Sequence, residues 1–206
     1  MIAPLPLLDT FYPIVPDAAW LSRIVPLGVK TVQLRMKGCS GADAARQVRE
    51  ALKICRAHDA QLIVNDYWQI ALNEGAPFVH LGQDDLAMAD LDLLRSAQIK
   101  FGISTHDESE LQIALTQKPD YIALGPIYET KLKIMKWAPQ GLDRVRVWKE
   151  KIGNIPLVAI GGITPERAPQ VAAAGADSIA VITDFLTSAD PEARIAQWLA
   201  WARAKK

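Results

Sequence analysis

Short, near-continuous apolar runs recur along the chain, each followed by polar residues and then by a stretch with helical spacing. The runs predict strands over Phe11–Val15, Thr31–Met36, Gln61–Asp66, Phe78–Gly82, Lys100–Thr105, Tyr121–Pro126, Leu157–Gly162 and Ser178–Thr183. Continuous rather than alternating apolar character is what parallel strands covered on both faces require. Between them, Ala44, Val48, Ala51, Leu52 and Cys55 fall three and four apart, as do Leu111 and Ala114, which places each set on one face of a helix. Helix starts are signalled by Ser40, by Asp107 and by the Thr164-Pro165-Glu166 step. Strand and helix alternate throughout, so the expectation is an α/β fold, a (β/α)8 TIM barrel occupying residues 1–206 as a single domain. A doubly wound open sheet is the competing arrangement, but it would usually carry fewer strands.

A barrel gathers its chemistry at the C-terminal ends of its strands, with phosphate often held after strands seven and eight. The second strand ends in Gln33, Arg35 and Lys37, which alternation puts on one face, toward the barrel mouth. Two cations there suit an anionic substrate, and the competing reading is a solvated edge paired with helix carboxylates. Asn65 and Asp66 end the third strand, and Asp84 and Asp85 follow the fourth. Neighbouring strands lie about 4.8 Å apart, so Asp66 and Asp85 can converge on one hard cation such as Mg²⁺; taken singly, each reads better as a helix cap. His80 lacks a second His or Cys at zinc spacing and reads as a structural histidine. Ser104 and Thr105 can bind a ligand or cap a helix, and His106 has no nucleophile to serve. The longest connection, Ile127 to Leu142, carries Thr130, Lys131, Lys133 and Lys136, a basic lid suited to a diphosphate. Gly161, Gly162 and the Ile182-Thr183 step complete a phosphate position at strands seven and eight.

Composition narrows the class. Of the 206 residues half are hydrophobic, enough for one large core, and 23 basic residues balance 23 acidic ones. That balance argues against nucleic acid or an anionic membrane as partner and leaves small-molecule substrates. Cys39 and Cys55 have neither metal nor CxxC spacing and read as reduced thiols. No apolar run is long enough to span a bilayer and the first residues lack a signal-peptide pattern, so a cytoplasmic enzyme is expected. The six tryptophans are scattered and read as core or interface packing, which leaves a homo-oligomer open.

The strand ends together resemble the thiamine-phosphate synthase family along nearly the whole chain. The resemblance rests on Val32-Gln33-Leu34-Arg35-Met36-Lys37, Val64-Asn65-Asp66, Val79-His80-Leu81-Gly82-Gln83-Asp84-Asp85 and Gly102-Ile103-Ser104-Thr105-His106. It continues through Gly125-Pro126-Ile127, Ala138-Pro139-Gln140-Gly141-Leu142 and Val158-Ala159-Ile160-Gly161-Gly162-Ile163. It implies that Gln33, Arg35, Lys37, Asn65, Ser104, Thr130 and Lys133 hold a pyrimidine diphosphate and that Asp66 and Asp85 hold Mg²⁺. It further implies that Gly162, Ile182 and Thr183 meet a thiazole phosphate. Arg35, Lys37, Ser104 and Lys133 would act in catalysis, and the implied reaction is dissociative, with pyrophosphate leaving before the thiazole nitrogen attacks.

Two positions depart from the family pattern. The lid usually reads Pro-Thr-x-Thr-Lys, and here Leu132 replaces the second threonine; Thr183 stands where a serine is common. A related thiazole tautomerase lacks residues matching Lys37, Asp66 and Asp85 and has a histidine at the place of Pro126, so this chain resembles the synthase more. A paralogue that binds thiazole or thiamine phosphate without catalysis is the remaining alternative, supported only by the altered lid.

Overall fold

The computed structural model describes residues 8–130 and 137–205. Lys131, Leu132, Lys133 and Lys136, expected in the lid, lie outside the described residues. Eight parallel strands close into a barrel in sequence order: β1 (Phe11–Val15), β2 (Thr31–Leu34), β3 (Gln61–Asn65), β4 (Phe78–Leu81), β5 (Lys100–Thr105), β6 (Tyr121–Leu124), β7 (Leu157–Ile160) and β8 (Ser178–Val181). Closure is made by β1 against β8, with Phe11 opposite Ile179 and Pro13 opposite Val181. Helices α1 (Ala18–Ile24), α2 (Gly41–Ala57), α3 (Trp68–Glu74), α4 (Gln83–Met88) and α5 (Leu91–Ser96) lie in the first half of the chain. α6 (Glu108–Thr116), α7 (Gly141–Ile152), α8 (Ala168–Ala173), α9 (Thr183–Leu186) and α10 (Pro191–Arg203) follow. The expected barrel is the observed one.

Side-chain alternation divides the core in two. One set of strand residues, including Ile14, Ile63, Phe78, Ala123, Val158 and Ala180, packs with Tyr12 and Tyr121 in a cluster without helix residues: the barrel interior. The opposite set, with Phe11, Val32, Leu34 and Val64, packs under the helices. Trp148 and Trp198 are fully buried there, the latter stacked on Phe11 at 5.2 Å between ring centroids. The Trp148 indole N–H donates to Thr105 Oγ1 at 2.9 Å, whose own hydroxyl donates to the Ala123 carbonyl at 2.9 Å. Thr105 is therefore a structural tie between β5, β6 and α7, not a ligand contact.

The predicted elements and the observed ones differ mainly at the barrel mouth. β1 and β5 end where expected, whereas the other strands stop one or two residues earlier than their apolar runs. The chain leaves the ladder there and its groups bond elsewhere: Asp66 N–H donates to the His80 carbonyl, and Ile127 N–H to that of Ile160. Ser40 and Asp107 cap α2 and α6 as expected, accepting from Asp43 N–H and Glu110 N–H. The helix after β7 starts later than the Thr164-Pro165-Glu166 step predicts. That step is a turn whose Thr164 carbonyl accepts from Arg167 and Ala168, and α8 begins only at Ala168.

Candidate active site

The rim formed by β2 to β5 is built from side chains. Gln33 is buried inside the barrel, its Nε2 donating to the Tyr12 hydroxyl at 2.7 Å. Arg35 follows the last residue of β2 and is tied by its backbone N–H to the Val15 carbonyl at 2.8 Å, which leaves its side chain at the rim. Lys37 is exposed and precedes Gly38, whose φ of +66° turns the chain. Val32, Leu34 and Met36 pack under the helices, so alternation persists through Met36 and sets Gln33 and Arg35 on the opposite, mouth-facing side as expected, while Lys37 is exposed before the Gly38 turn. Gln33 faces inward, Arg35 stands at the rim and Lys37 lies beyond it.

The two aspartates do converge. Asp66 takes a φ of +64° immediately after β3, and Asp85 sits in the first turn of α4. Burial raises the Asp66 carboxyl to about 6; the charge of Asp85 and a hydrogen bond with it push the same way, while Arg35 and Asn65 oppose. Two carboxyls close enough to share a hydrogen bond, in a partly dry position, favour keeping one proton between them. Neither acts as a helix cap: α3 and α4 have Tyr67 and Gly82 at their N-caps, without a side-chain capping bond. Among the described residues no group of three or more His, Cys, Asp or Glu is placed to hold a metal. The donor set is thus two carboxylates, which fits Mg²⁺, an ion that keeps several waters and takes further oxygens from phosphates.

Ser104 and His80 occupy the next strands round. His80 is buried, with Nε2 2.7 Å from Ser104 Oγ and Nδ1 2.6 Å from the Tyr121 hydroxyl. Burial, and then the charges of Arg35 and His106, lower the imidazole to about 3, so it is neutral. Gln83 Nε2 donates to the Ser104 carbonyl at 2.6 Å and holds that residue from the α4 side. His106 is engaged by Glu110 at 2.7 Å and stacks on Trp137 at 4.1 Å, consistent with its having no nucleophile to activate.

The rim from β6 to β8 is built from backbone. Gly161 and Gly162 have φ of +104° and +64°, and the segment after β6 lies directly over them. Tyr128 N–H donates to the Gly161 carbonyl at 3.0 Å. A Cβ on Gly162 would stand 2.4 Å from the Glu129 carbonyl oxygen, so only glycine allows this approach. Arg167 Nη1 donates to the Gly162 carbonyl at 2.7 Å, and its guanidinium lies 4.6 Å from the Tyr128 ring centre. Ile182 and Thr183 turn β8 into α9. Behind that turn Arg194 binds Asp184 at 2.8 Å and Glu166 at 3.2 Å, and Asp184 also accepts from Trp198 Nε1. Thr130 ends the first described stretch of the β6 connection, which resumes at Trp137.

Sequence reasoning found the rim and missed what lies beneath it. Tyr12, Tyr121, Gln83 and Trp137 were not singled out. The available signal for the tyrosines was parity: both stand at inward positions of β1 and β6, where a phenol hydroxyl in an apolar barrel must find a partner.

A closed parallel barrel with charged side chains on one half of its mouth and glycine turns on the other belongs to the class of barrel enzymes. The chain matches the model of the family described as thiamine monophosphate synthase over residues 11–185. It is 56% identical over 193 residues to a thiamine-phosphate synthase of Rhizobium etli, covering 94% of this chain and 95% of that one. A thiamine-phosphate synthase of Enterobacter sp. (strain 638) is 42% identical over 201 residues, covering 98% and 95%. The fold is similar to the solved thiamine phosphate pyrophosphorylase from Pyrococcus furiosus, with a TM-score of 0.83 at 24% identity over 95% of this chain and 96% of that one. The chain belongs to the thiamine monophosphate synthase family, and it is an enzyme, a transferase.

Proposed function

We propose that the chain is a thiamine-phosphate synthase joining 4-amino-2-methyl-5-hydroxymethylpyrimidine diphosphate to 4-methyl-5-(2-phosphooxyethyl)thiazole. In this reading the bond between the pyrimidine methylene and the diphosphate oxygen breaks, and its electron pair leaves with pyrophosphate. The thiazole nitrogen then gives its lone pair to the methylene carbon, forming thiamine phosphate. No side-chain nucleophile takes part.

The observation that carries the reading is the convergence of Arg35, Asp66 and Asp85 at one sector of the mouth, where their charges act on one another. Arg35 and Lys37 bind the diphosphate and favour the charge that grows on it as it departs. Lys133 and Thr130 are read as further contacts to the diphosphate. Gln33, Asn65 and Ser104 orient the pyrimidine end, and Gly162, Ile182 and Thr183 receive the thiazole phosphate at the backbone rim. Asp66 and Asp85 would hold Mg²⁺, which when bound supplies positive charge to the leaving pyrophosphate. The enzyme is read as acting in the cytoplasm on small molecules alone, as one barrel domain. Among the described residues no helix is long and apolar enough to cross a membrane.

The test is incubation of purified protein with both substrates and Mg²⁺, followed by mass spectrometry. Thiamine phosphate and pyrophosphate are expected in equal amounts. Absence of product with both substrates saturating would reject the reading.

A further inference from the structure

A chain of hydrogen bonds crosses the barrel interior from β2 to β5. Gln33 Nε2 lies 2.7 Å from the Tyr12 hydroxyl, which lies 3.0 Å from the Tyr121 hydroxyl. Tyr121 is 2.6 Å from His80 Nδ1, and His80 Nε2 is 2.7 Å from Ser104 Oγ. Gln33, Tyr12, Tyr121 and His80 are buried, and only Ser104 reaches the rim.

Counting hydrogens gives the chain a direction. The amide of Gln33 donates to the Tyr12 oxygen, so Tyr12 must spend its own hydrogen elsewhere, and the acceptor within reach is Tyr121. Tyr121 then donates to Nδ1 of His80. A neutral imidazole with Nδ1 accepting carries its hydrogen on Nε2, which donates to Ser104 Oγ. The inner side of Ser104 is thereby occupied as an acceptor, and its hydroxyl hydrogen is left for the mouth. Reversing the direction would aim the Tyr12 hydrogen at the Gln33 amide hydrogens and bury it unbonded, a cost of about 1–3 kcal/mol. Burial raises both phenols above their usual range and holds the imidazole neutral, so every member keeps its hydrogen. The chain orients dipoles; it does not conduct protons.

We propose that Gln33, Tyr12, Tyr121 and His80 form a positioning relay that fixes the His80 tautomer and so presents Ser104 to the substrate as a hydrogen-bond donor. Ser104 then selects a ligand with a lone pair at that point, such as a heteroaromatic ring nitrogen, over one with an N–H or O–H there. Contact of Ser104 with substrate rests on the proposed function; the tautomer and its cause do not. None of the relay residues beneath Gln33 touches substrate.

The test has two arms. With only three histidines in the chain, ¹⁵N-imidazole NMR of the free protein can resolve His80, assigned by loss of its signals in His80→Gln. The expected state is a hydrogen on Nε2 and a bare Nδ1, changing to mixed tautomers in Tyr121→Phe. A hydrogen on Nδ1 in the unaltered protein overturns the relay whatever the activity. In the kinetic arm, Tyr121→Phe is expected to lower kcat/KM for the pyrimidine diphosphate roughly tenfold, the value of one charge-free hydrogen bond made or misplaced in a dry site. KM for thiazole phosphate should stay within about twofold, and Tyr121→Phe should add less than about twofold to Ser104→Ala. Additive losses in the double variant would overturn the proposal, because the phenol would then act other than through Ser104. Should Tyr121→Phe fail to fold, Tyr12→Phe takes its place, with a smaller loss and the same required non-additivity. If the protein makes no thiamine phosphate while the Nε2–H tautomer is present, the functional reading falls and the relay stands.

Discussion

The two halves of the barrel mouth are built by different means, and on the proposed function each holds an anion. From β2 to β5 the rim offers Arg35, Asn65, Asp66, Asp85 and Ser104, each aimed by a neighbouring strand or by groups beneath it. From β6 to β8 it offers Gly161, Gly162 and the Ile182-Thr183 turn, where the path of the main chain matters more than any side chain. A side-chain rim can place charge where charge develops during a reaction. A backbone rim provides donors that never titrate and cannot swing away. On the proposed function, the reacting diphosphate would belong by this logic to the first half, and the spectator phosphate to the second.

The sharpest test of that division is at Arg35. Arg35→Ala is expected to cost roughly a hundredfold or more in kcat/KM, as expected when a charged partner of a phosphoryl group is removed. Rapid-quench measurement of pyrophosphate release should carry the loss, with thiazole phosphate binding little changed. An equal loss in both would erase the distinction between the halves.

Gly162→Ala probes the other half. The added Cβ meets the Glu129 carbonyl at 2.4 Å and sits at a positive φ, so the β6 and β7 connections must move apart. Strain of this kind costs about 1–3 kcal/mol, measurable by urea unfolding, and KM for the thiazole phosphate should rise more than that for the diphosphate. Unchanged stability and kinetics would mean that the backbone rim is not set by this glycine.

A smaller effect, of opposite sign on stability, is expected at Asp66. Its carboxyl titrates near 6 in the folded chain against an ordinary value of 3.8. The folded state therefore binds the extra proton, and the stability associated with it is present at low pH and lost as pH rises from about 4 through about 6. Metal-free Asp66→Asn should melt a few degrees above the unaltered protein at about pH 8 and together with it near pH 4, as calorimetry can check. A difference independent of pH would remove carboxylate repulsion as the cause. Full activity with an unchanged Mg²⁺ titration in both Asp66→Asn and Asp85→Asn would dismiss the metal site. Least of all should Thr183→Ser matter, since it keeps the hydroxyl and the backbone; a change above about twofold in KM for the thiazole phosphate would assign the Thr183 methyl a role the backbone rim does not need.

Both halves were legible in the chain, but through different signals. Parallel strands buried on both faces write themselves as apolar runs, so all eight strands could be placed and β1 and β5 bounded correctly. The runs overshoot at β2 and β8 because Met36 and Ile182 stay apolar after the ladder stops, and at β3, β4, β6 and β7 because the turn residues Asp66, Gly82, Gly125-Pro126 and Gly161-Gly162 adjoin the apolar run directly. Residue chemistry marked Asp66 and Asp85, whose meeting follows from the adjacency of β3 and β4. What stayed hidden is the relay beneath Ser104. Tyr12 and Tyr121 are separated by 109 residues, and the strand pattern gives no register across a barrel's interior. The late start of α8 was hidden for a local reason: Pro165 suits a turn as well as a first helical turn.

Gly102 carries a consequence for how such a chain can change over generations. It lies beside Tyr121 across β5 and β6, and a Cβ there would stand 2.1 Å from the Tyr121 ring. The absent side chain at one position is the room for the ring at the other. A mutation to any larger residue at 102 is blocked while the tyrosine remains, and loss of the tyrosine first leaves a void lined by Tyr12, Phe78 and His80. Neither step is easy alone, so the two sites should be inherited as a pair, and lineages that part with one should be found to have replaced both.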